Sequence, residues 1–268
     1  MGVRRGRALA YAGLALVFGG LSYAVGVGSV LGQRAEAAVL EAARFTTAPP
    51  PPLGLVSVPA IAIALVALAA LALWAHGIAR SLLVLTVPGL IIASAQLLKL
   101  QVIERPDLWE FGAENSFPSG HMTVFAALAG AALWTVPRSL APLTAAAAGG
   151  LLGVVGWQLL EYGWHRPSDV IGALALSVLG FSLAVVVGLA RRSRRHERVT
   201  PAVGAVNRVL GAALTLTGMA LTLGGVGLTV AAGSLSSPPL LLAGAQVAVV
   251  GAGALTARGH LALTPDPR

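Results

Sequence analysis

Two histidines 44 positions apart sit where chemistry can be done. His121 closes the run Pro118-Ser119-Gly120-His121, and His165 opens His165-Arg166-Pro167-Ser168-Asp169, each at the mouth of a long apolar segment. His165 and Asp169 are four residues apart, the spacing that puts both side chains on one face of a helix. A carboxylate so placed accepts one ring N–H, fixes the tautomer and stabilises the cation that develops when the other nitrogen attacks an electrophile. Ser119-Gly120 precedes an expected helix start, where unsatisfied N–H groups and the helix dipole favour an anion. Glycine lets the backbone approach closely, and Pro167 suits a first helical position. The layout suits phosphoryl chemistry at a membrane surface.

Positioning these residues falls to apolar segments. Hydrophobic residues make up 56% of the 268-residue chain and charged residues only 10%, with a mean hydropathy of +0.83. Soluble domains carry about 25% charged residues, so the composition excludes a soluble enzyme and points to a bilayer. A span needs about 20 apolar residues to cross a hydrocarbon core of roughly 30 Å. Eight stretches are candidates, at 8–31, 55–77, 81–99, 119–136, 140–161, 167–190, 206–231 and 238–257. The expected fold is all-α, a polytopic helical membrane protein with about eight transmembrane helices. Abundant Ala, Gly, Leu and Val fits close helix–helix packing in lipid. Arg4, Arg5 and Arg7 precede the first span as they would a signal sequence, but its length and the lack of a small-residue cleavage site read as a retained span. The proline run 49–52 reads as a stiff extended spacer. The absence of cysteine excludes disulfides and thiolate metal sites.

Eighteen Lys and Arg against ten Asp and Glu give a net charge of +8. These charges lie between apolar runs rather than on a folded basic face, so nucleic acid is not an expected partner. Thirteen of the eighteen (Arg4, Arg5, Arg7, Arg80, Arg138, the five arginines of 191–198, Arg208, Arg258 and Arg268) fall on one side of the membrane if spans alternate. By the positive-inside rule that side is cytoplasmic, and both termini lie there. The histidine motifs face the opposite side, together with every acid except Glu197 and Asp266. The stretch 191–198 reads as a topology anchor after the sixth span. The last two spans, nearly free of ionisable groups, read as an appended pair packing on the core or on another subunit. A bacterial plasma membrane is the expected setting.

Three loops on the outer side carry the informative polar residues: Lys99 with Arg105-Pro106, then Pro118-Ser119-Gly120-His121, then His165 to Asp169. This order resembles the type 2 phosphatidic acid phosphatase (PAP2) family, the membrane lipid phosphatases related to vanadium haloperoxidases, whose pattern is Lys before Arg-Pro, Pro-Ser-Gly-His, and Ser-Arg before His-x-x-x-Asp. The resemblance covers roughly 55–190. It implies a six-helix PAP2-like core there, with an N-terminal helix and extracytoplasmic loop over 1–54 and a basic cytoplasmic loop and C-terminal helix pair over 191–268. It implies a lipid phosphate substrate: phosphatidic acid, phosphatidylglycerol phosphate or a polyprenyl (di)phosphate. In this reading His165 attacks phosphorus, Asp169 orients it, and His121 serves the leaving group and then water. Lys99, Arg105, Ser119 and Gly120 hold the phosphoryl oxygens. No metal and no cofactor is called for.

The chain departs from the pattern twice. Five residues rather than six separate Lys99 from Arg105, and one residue turns a helical position by about 100°. The expected Ser-Arg pair falls at Gln158 and Leu159, which removes a phosphate-binding arginine; Arg166 is the candidate to supply that charge. Two alternatives follow, a weakened homologue that binds phospholipid without fast turnover, and a phosphotransferase using the same histidine. A transporter fits poorly, because ionisable residues cluster at span ends rather than mid-membrane. Glu104, Asp107, Glu110 and Glu114 read as solvated acids, His76, His196 and His260 as incidental, and Trp109, Trp157 and Trp164 as interfacial anchors.

Overall fold

Helix length and surroundings separate the elements that cross the bilayer from those that only line it. The computed structural model describes residues 2–109, 112–189, 201–235 and 237–264; Glu110, the arginine-rich stretch 191–198 with His196 and Glu197, and Asp266 and Arg268 lie outside them. The elements are α1 (Gly2–Ser22) continued by a π-helical turn (Tyr23–Val27), α2 (Val30–Glu41), a 3-10 turn (Leu53–Leu55), α3 (Val58–His76), α4 (Ile78–Leu97) continued by a second π turn (Leu98–Val102), α5 (Gly120–Thr135), α6 (Ala141–Glu161), α7 (Pro167–Val186), α8 (Pro201–Leu235) and α9 (Pro238–Ala262). The protein is an all-helical polytopic membrane protein. Among the described residues, seven helices are long and apolar enough to cross a membrane.

The expected span 119–136 is the helix α5, whose 16 residues extend about 24 Å, shorter than the other seven apolar helices. It is apolar all round because protein surrounds it: Met122 to Ala127 and Ala129 to Trp134 are largely buried, and α3, α4, α6, α7 and α9 all pack on it. The loop expected over 32–54 contains most of a further helix, α2. Ser29 starts α2 by accepting the N–H of Gly32, as Ser57 caps α3 through Ala60 and Ser119 caps α5 through Met122.

Lipid is as apolar as leucine, so close contact rather than burial from water drives helix association. Helices α8 and α9 meet backbone to backbone: a Cβ on Gly225 would strike the Ala248 backbone, and one on Gly244 or Gly251 would strike Thr229 or Thr222. Helix α9 in turn packs on α6, with Gly253 against Leu152 and Gly153, so the C-terminal pair is joined to the same chain's bundle. The α1 helix lies along α7, and Arg5 Nε donates to the Val186 carbonyl at the α7 C-terminus at 3.1 Å, where the dipole favours a cation. His76 Nε2 meets the Thr135 carbonyl, and buried His260 meets Ser177 Oγ at 3.2 Å.

Phe117, in the loop before α5, is seated against α7, where a Cβ on Gly172 would run into its ring. Gly172→Ala is expected to lower stability by about 1–3 kcal/mol through overpacking, read as a fall in the thermal unfolding midpoint in detergent. An unchanged midpoint would show that this loop moves freely on α7.

Candidate active site

Helix starts assemble the site. Pro167 opens α7 with its fixed φ, which leaves His165 in the preceding turn and Asp169 in the first helical turn. Asp169 is fully buried. Its Oδ2 accepts from His165 Nδ1 at 3.2 Å, from Ser116 Oγ at 2.7 Å and from the Arg166 backbone N–H at 3.0 Å. Its carbonyl accepts the Ser119 N–H at 3.0 Å, which ties the start of α5 to the start of α7. The His121 and His165 rings then lie at the same end of the bundle, edge to face with centroids 6.1 Å apart.

Around this pair the expected residues take different places. Ser119 is buried with its Oγ at the Met122 N–H, 3.2 Å away, and Gly120 begins α5, where a Cβ would meet the Gln96 amide. Lys99 lies on the π turn and its charge acts on His121. That turn, closed by Ile103 N–H to Leu98 carbonyl, changes the helical phase at the point where the spacing to Arg105 is one residue short. Arg166 Nη1 donates to Ser116 Oγ at 3.1 Å. Arg105 is half-buried, and its charge is felt at Glu36. Trp164, expected as an interfacial anchor, packs edge-on to His121 at 5.2 Å and donates from Nε1 to the Thr46 carbonyl.

The position of the missing arginine is closed. Leu159 is fully buried in the largest apolar cluster, with Met122, Val155 and Val170. Gln158 faces the proline run instead: its Oε1 accepts the Leu53 N–H at 3.2 Å and its Nε2 donates to the Pro51 carbonyl at 3.1 Å. The run expected as a free spacer is therefore docked on α6.

Several residues that hold the site carry no local signature in the sequence. Glu36 of α2 accepts the Ser168 N–H through Oε1 at 2.9 Å, capping α7 from a segment 132 residues away. Gln33 donates to the carbonyls of Val27 (2.8 Å) and Pro106 (2.7 Å) and accepts the Trp109 N–H at 2.9 Å, so α2 also grips the Arg105-Pro106 loop. Tyr23 donates to the Glu104 carbonyl and Ser22 to that of Ser168. Asn115 bridges the carbonyls of Lys99 and Ile103. The signal available was a pair of polar residues, Gln33 and Glu36, three positions apart on one helix face.

Burial pushes the Glu36 carboxyl up to about 7; the Asp169 charge pushes the same way, while the Ser168 contacts and Arg105 oppose it. The folded state holds this proton more tightly than the unfolded chain, whose carboxyl titrates near 4.5. Ionised Glu36 therefore weakens the fold progressively as pH rises through 5 to 7, by roughly 3 kcal/mol in all. Glu36→Gln keeps the acceptor for Ser168 without the charge, so its thermal midpoint should exceed that of the wild type by a margin that grows from pH 5 to pH 8. A constant margin would contradict the buried carboxyl. Leu159→Arg, which restores the family's residue type, should cost about 3 kcal/mol or more, because its charge enters a closed apolar cluster. A wild-type midpoint for that variant would mean that the position opens to phosphate.

Residues 98–195 match the PAP2 superfamily model, a segment that begins one residue before Lys99 and contains both histidine motifs. Comparison with curated proteins and with solved structures gives no match. The stretch carrying His121, His165 and Asp169 thus matches the PAP2 superfamily model within a larger helical membrane protein, consistent with a PAP2-type membrane phosphatase.

Proposed function

We propose that the protein is a lipid phosphatase working through a phosphohistidine at the extracytoplasmic face, with both termini cytoplasmic. The observation that carries this reading is the facing of His121 and His165 across 6.1 Å with Asp169 on His165 Nδ1. With Nδ1 engaged, the Nε2 lone pair is the one left to attack phosphorus. Burial, His165 and Lys99 push the His121 imidazole down to about 4, so the proton it donates arrives with the substrate phosphate: the P–O bond to the lipid breaks, His121 gives that proton to the departing alkoxide, and the phosphoryl group stays on His165. His121, now neutral, takes a proton from water as that water attacks phosphorus, releasing inorganic phosphate and regenerating the imidazole. Such proton transfer is worth roughly 10²–10⁴-fold in rate.

The phosphoryl oxygens carry the charge that grows during transfer. Lys99, Arg105, Ser119, the Gly120 N–H at the start of α5 and Arg166 are the groups assigned to hold them. The substrate class is a lipid monophosphate or diphosphate, whose chain would run along the apolar flanks of the bundle. The Lys/Arg bias supports the extracytoplasmic placement: α1, α6 and α9 run between an arginine-rich end and the histidine end. The closed pocket at Leu159 favours a second reading, a phospholipid-binding homologue with slow turnover.

Phosphate release from phosphatidic acid, phosphatidylglycerol phosphate and a polyprenyl diphosphate by the purified protein decides between them. The wild type should turn over at least one substrate, and His165→Ala should lose at least about a thousandfold. Equal rates for the two proteins would remove the nucleophile. Binding without release by the wild type would establish the second reading.

A further inference from the structure

The two histidines are held by different means. His165 is oriented by the Asp169 carboxylate on its Nδ1. Among the described residues, the ring contacts of His121 are with other rings, His165 at 6.1 Å and Trp164 at 5.2 Å between centroids, both edge to face. A catalytic group misplaced by about an ångström loses much of its effect. Whatever fixes the His121 ring therefore matters to a reaction in which that ring moves a proton.

Trp164 is fixed at both backbone and ring. Gly163 takes a φ of +65° and closes α6 with the pair of bonds usual for a left-handed helix end. Its N–H donates to the Leu160 carbonyl at 3.1 Å, and the Trp164 N–H donates to that of Leu159 at 3.0 Å. The chain therefore leaves α6 in one direction, with the indole packed on the apolar cluster that holds Leu159 and Leu160. Indole Nε1 donates to the Thr46 carbonyl at 2.7 Å. Thr46 belongs to the segment docked along the end of α6, where the Arg44 N–H donates to the Glu161 carbonyl at 2.7 Å and Leu53 and Pro51 meet Gln158. A large ring packed on one side and bonded through its N–H is ordered by the fold before any substrate arrives.

We propose that Trp164 is the positioning residue for His121: its indole, tethered to Thr46, keeps the imidazole aimed at the leaving oxygen of the substrate. The inference rests on the proton-donor role given to His121 in the proposed function. Edge-to-face rings have a preferred mutual orientation because the edge of one meets the electron-rich face of the other, so an immobile indole sets the angle of a mobile imidazole. Residues 164–169 then orient both histidines, His121 through a ring and His165 through a carboxylate.

The test varies the leaving group. Dodecyl phosphate releases an alkoxide that needs a proton, whereas a nitrophenyl phosphate with a similar tail releases a phenolate that departs without one. The quantity compared is kcat/KM, which reports the steps through P–O cleavage and leaves out the later attack of water. For the full chain in detergent, Trp164→Leu should lose at least about ten times more on the alkyl ester than on the nitrophenyl ester, a share of what proton donation supplies. A side chain that only holds the fold together would cost both esters alike. Should Trp164→Leu fail to fold, Trp164→Phe, which keeps a ring but gives up the Nε1 bond, should show the same selectivity at smaller size. Equal losses on the two esters, or no loss, would overturn the proposal if His121→Ala is selective for the alkyl ester. An unselective His121→Ala would instead remove the proton-donor role, and turnover of neither ester by the wild type would remove the phosphatase reading; this inference falls with either.

Discussion

A carboxylate taken out of water must be met by donors, and Asp169 meets that demand through one of its two oxygens. Its Oδ2 gathers an imidazole N–H, a hydroxyl and a backbone N–H, and its own carbonyl takes the N–H that begins the α5 cap. One residue therefore fixes the orientation of His165, the position of the Ser116–Gly120 loop and the relative height of α5 and α7. Removing the carboxylate would leave three donors unanswered in a buried place, at roughly 1–3 kcal/mol for each. The separation of the two histidine rings is a consequence of that anchoring rather than of either histidine alone.

The second constraint comes from outside the PAP2 segment. Helix α2 reaches both phosphate-side loops, Glu36 at the α7 start and Gln33 at Pro106 and Trp109. Gly26 makes this approach possible, since a Cβ there would overlap Ser168 and Glu36. The buried Glu36 carboxyl, held near 7, lies close enough to Asp169 for the charges to interact. Ionisation of Glu36 adds a second negative charge beside the carboxylate that holds His165, so stability and site electrostatics are coupled through one proton.

The legible part of the molecule was that governed by local rules. Apolar runs of about 20 residues announced the spans, and the four-residue spacing of His165 and Asp169 announced a contact that exists at 3.2 Å. The apolar run of α5 was legible, but that the other helices enclose it on nearly every side was not, because its composition matches that of a lipid-facing helix. Contacts between residues 73 to 132 apart, such as Gln33 with Pro106 or Glu36 with Ser168, leave no periodic trace. The proline run was misjudged for a related reason. Its carbonyls have no partners within the run and found one in Gln158, at the position where the family places a serine beside the arginine.

That substitution explains how the site tolerates Leu159. An arginine there needs an open path to phosphate and loses heavily without one. In this chain the path is occupied by the docked proline loop and by the apolar cluster around Val155 and Met122, so leucine at 159 is required by its surroundings. The cationic complement of the site must then come from groups that approach along other elements. Arg166 is tied through Ser116 to the Asp169 network, and Lys99 stands on a π turn that re-aims it towards His121. Each of these approaches the histidine pair from the loop side, while Leu159 of α6 is closed into the apolar core.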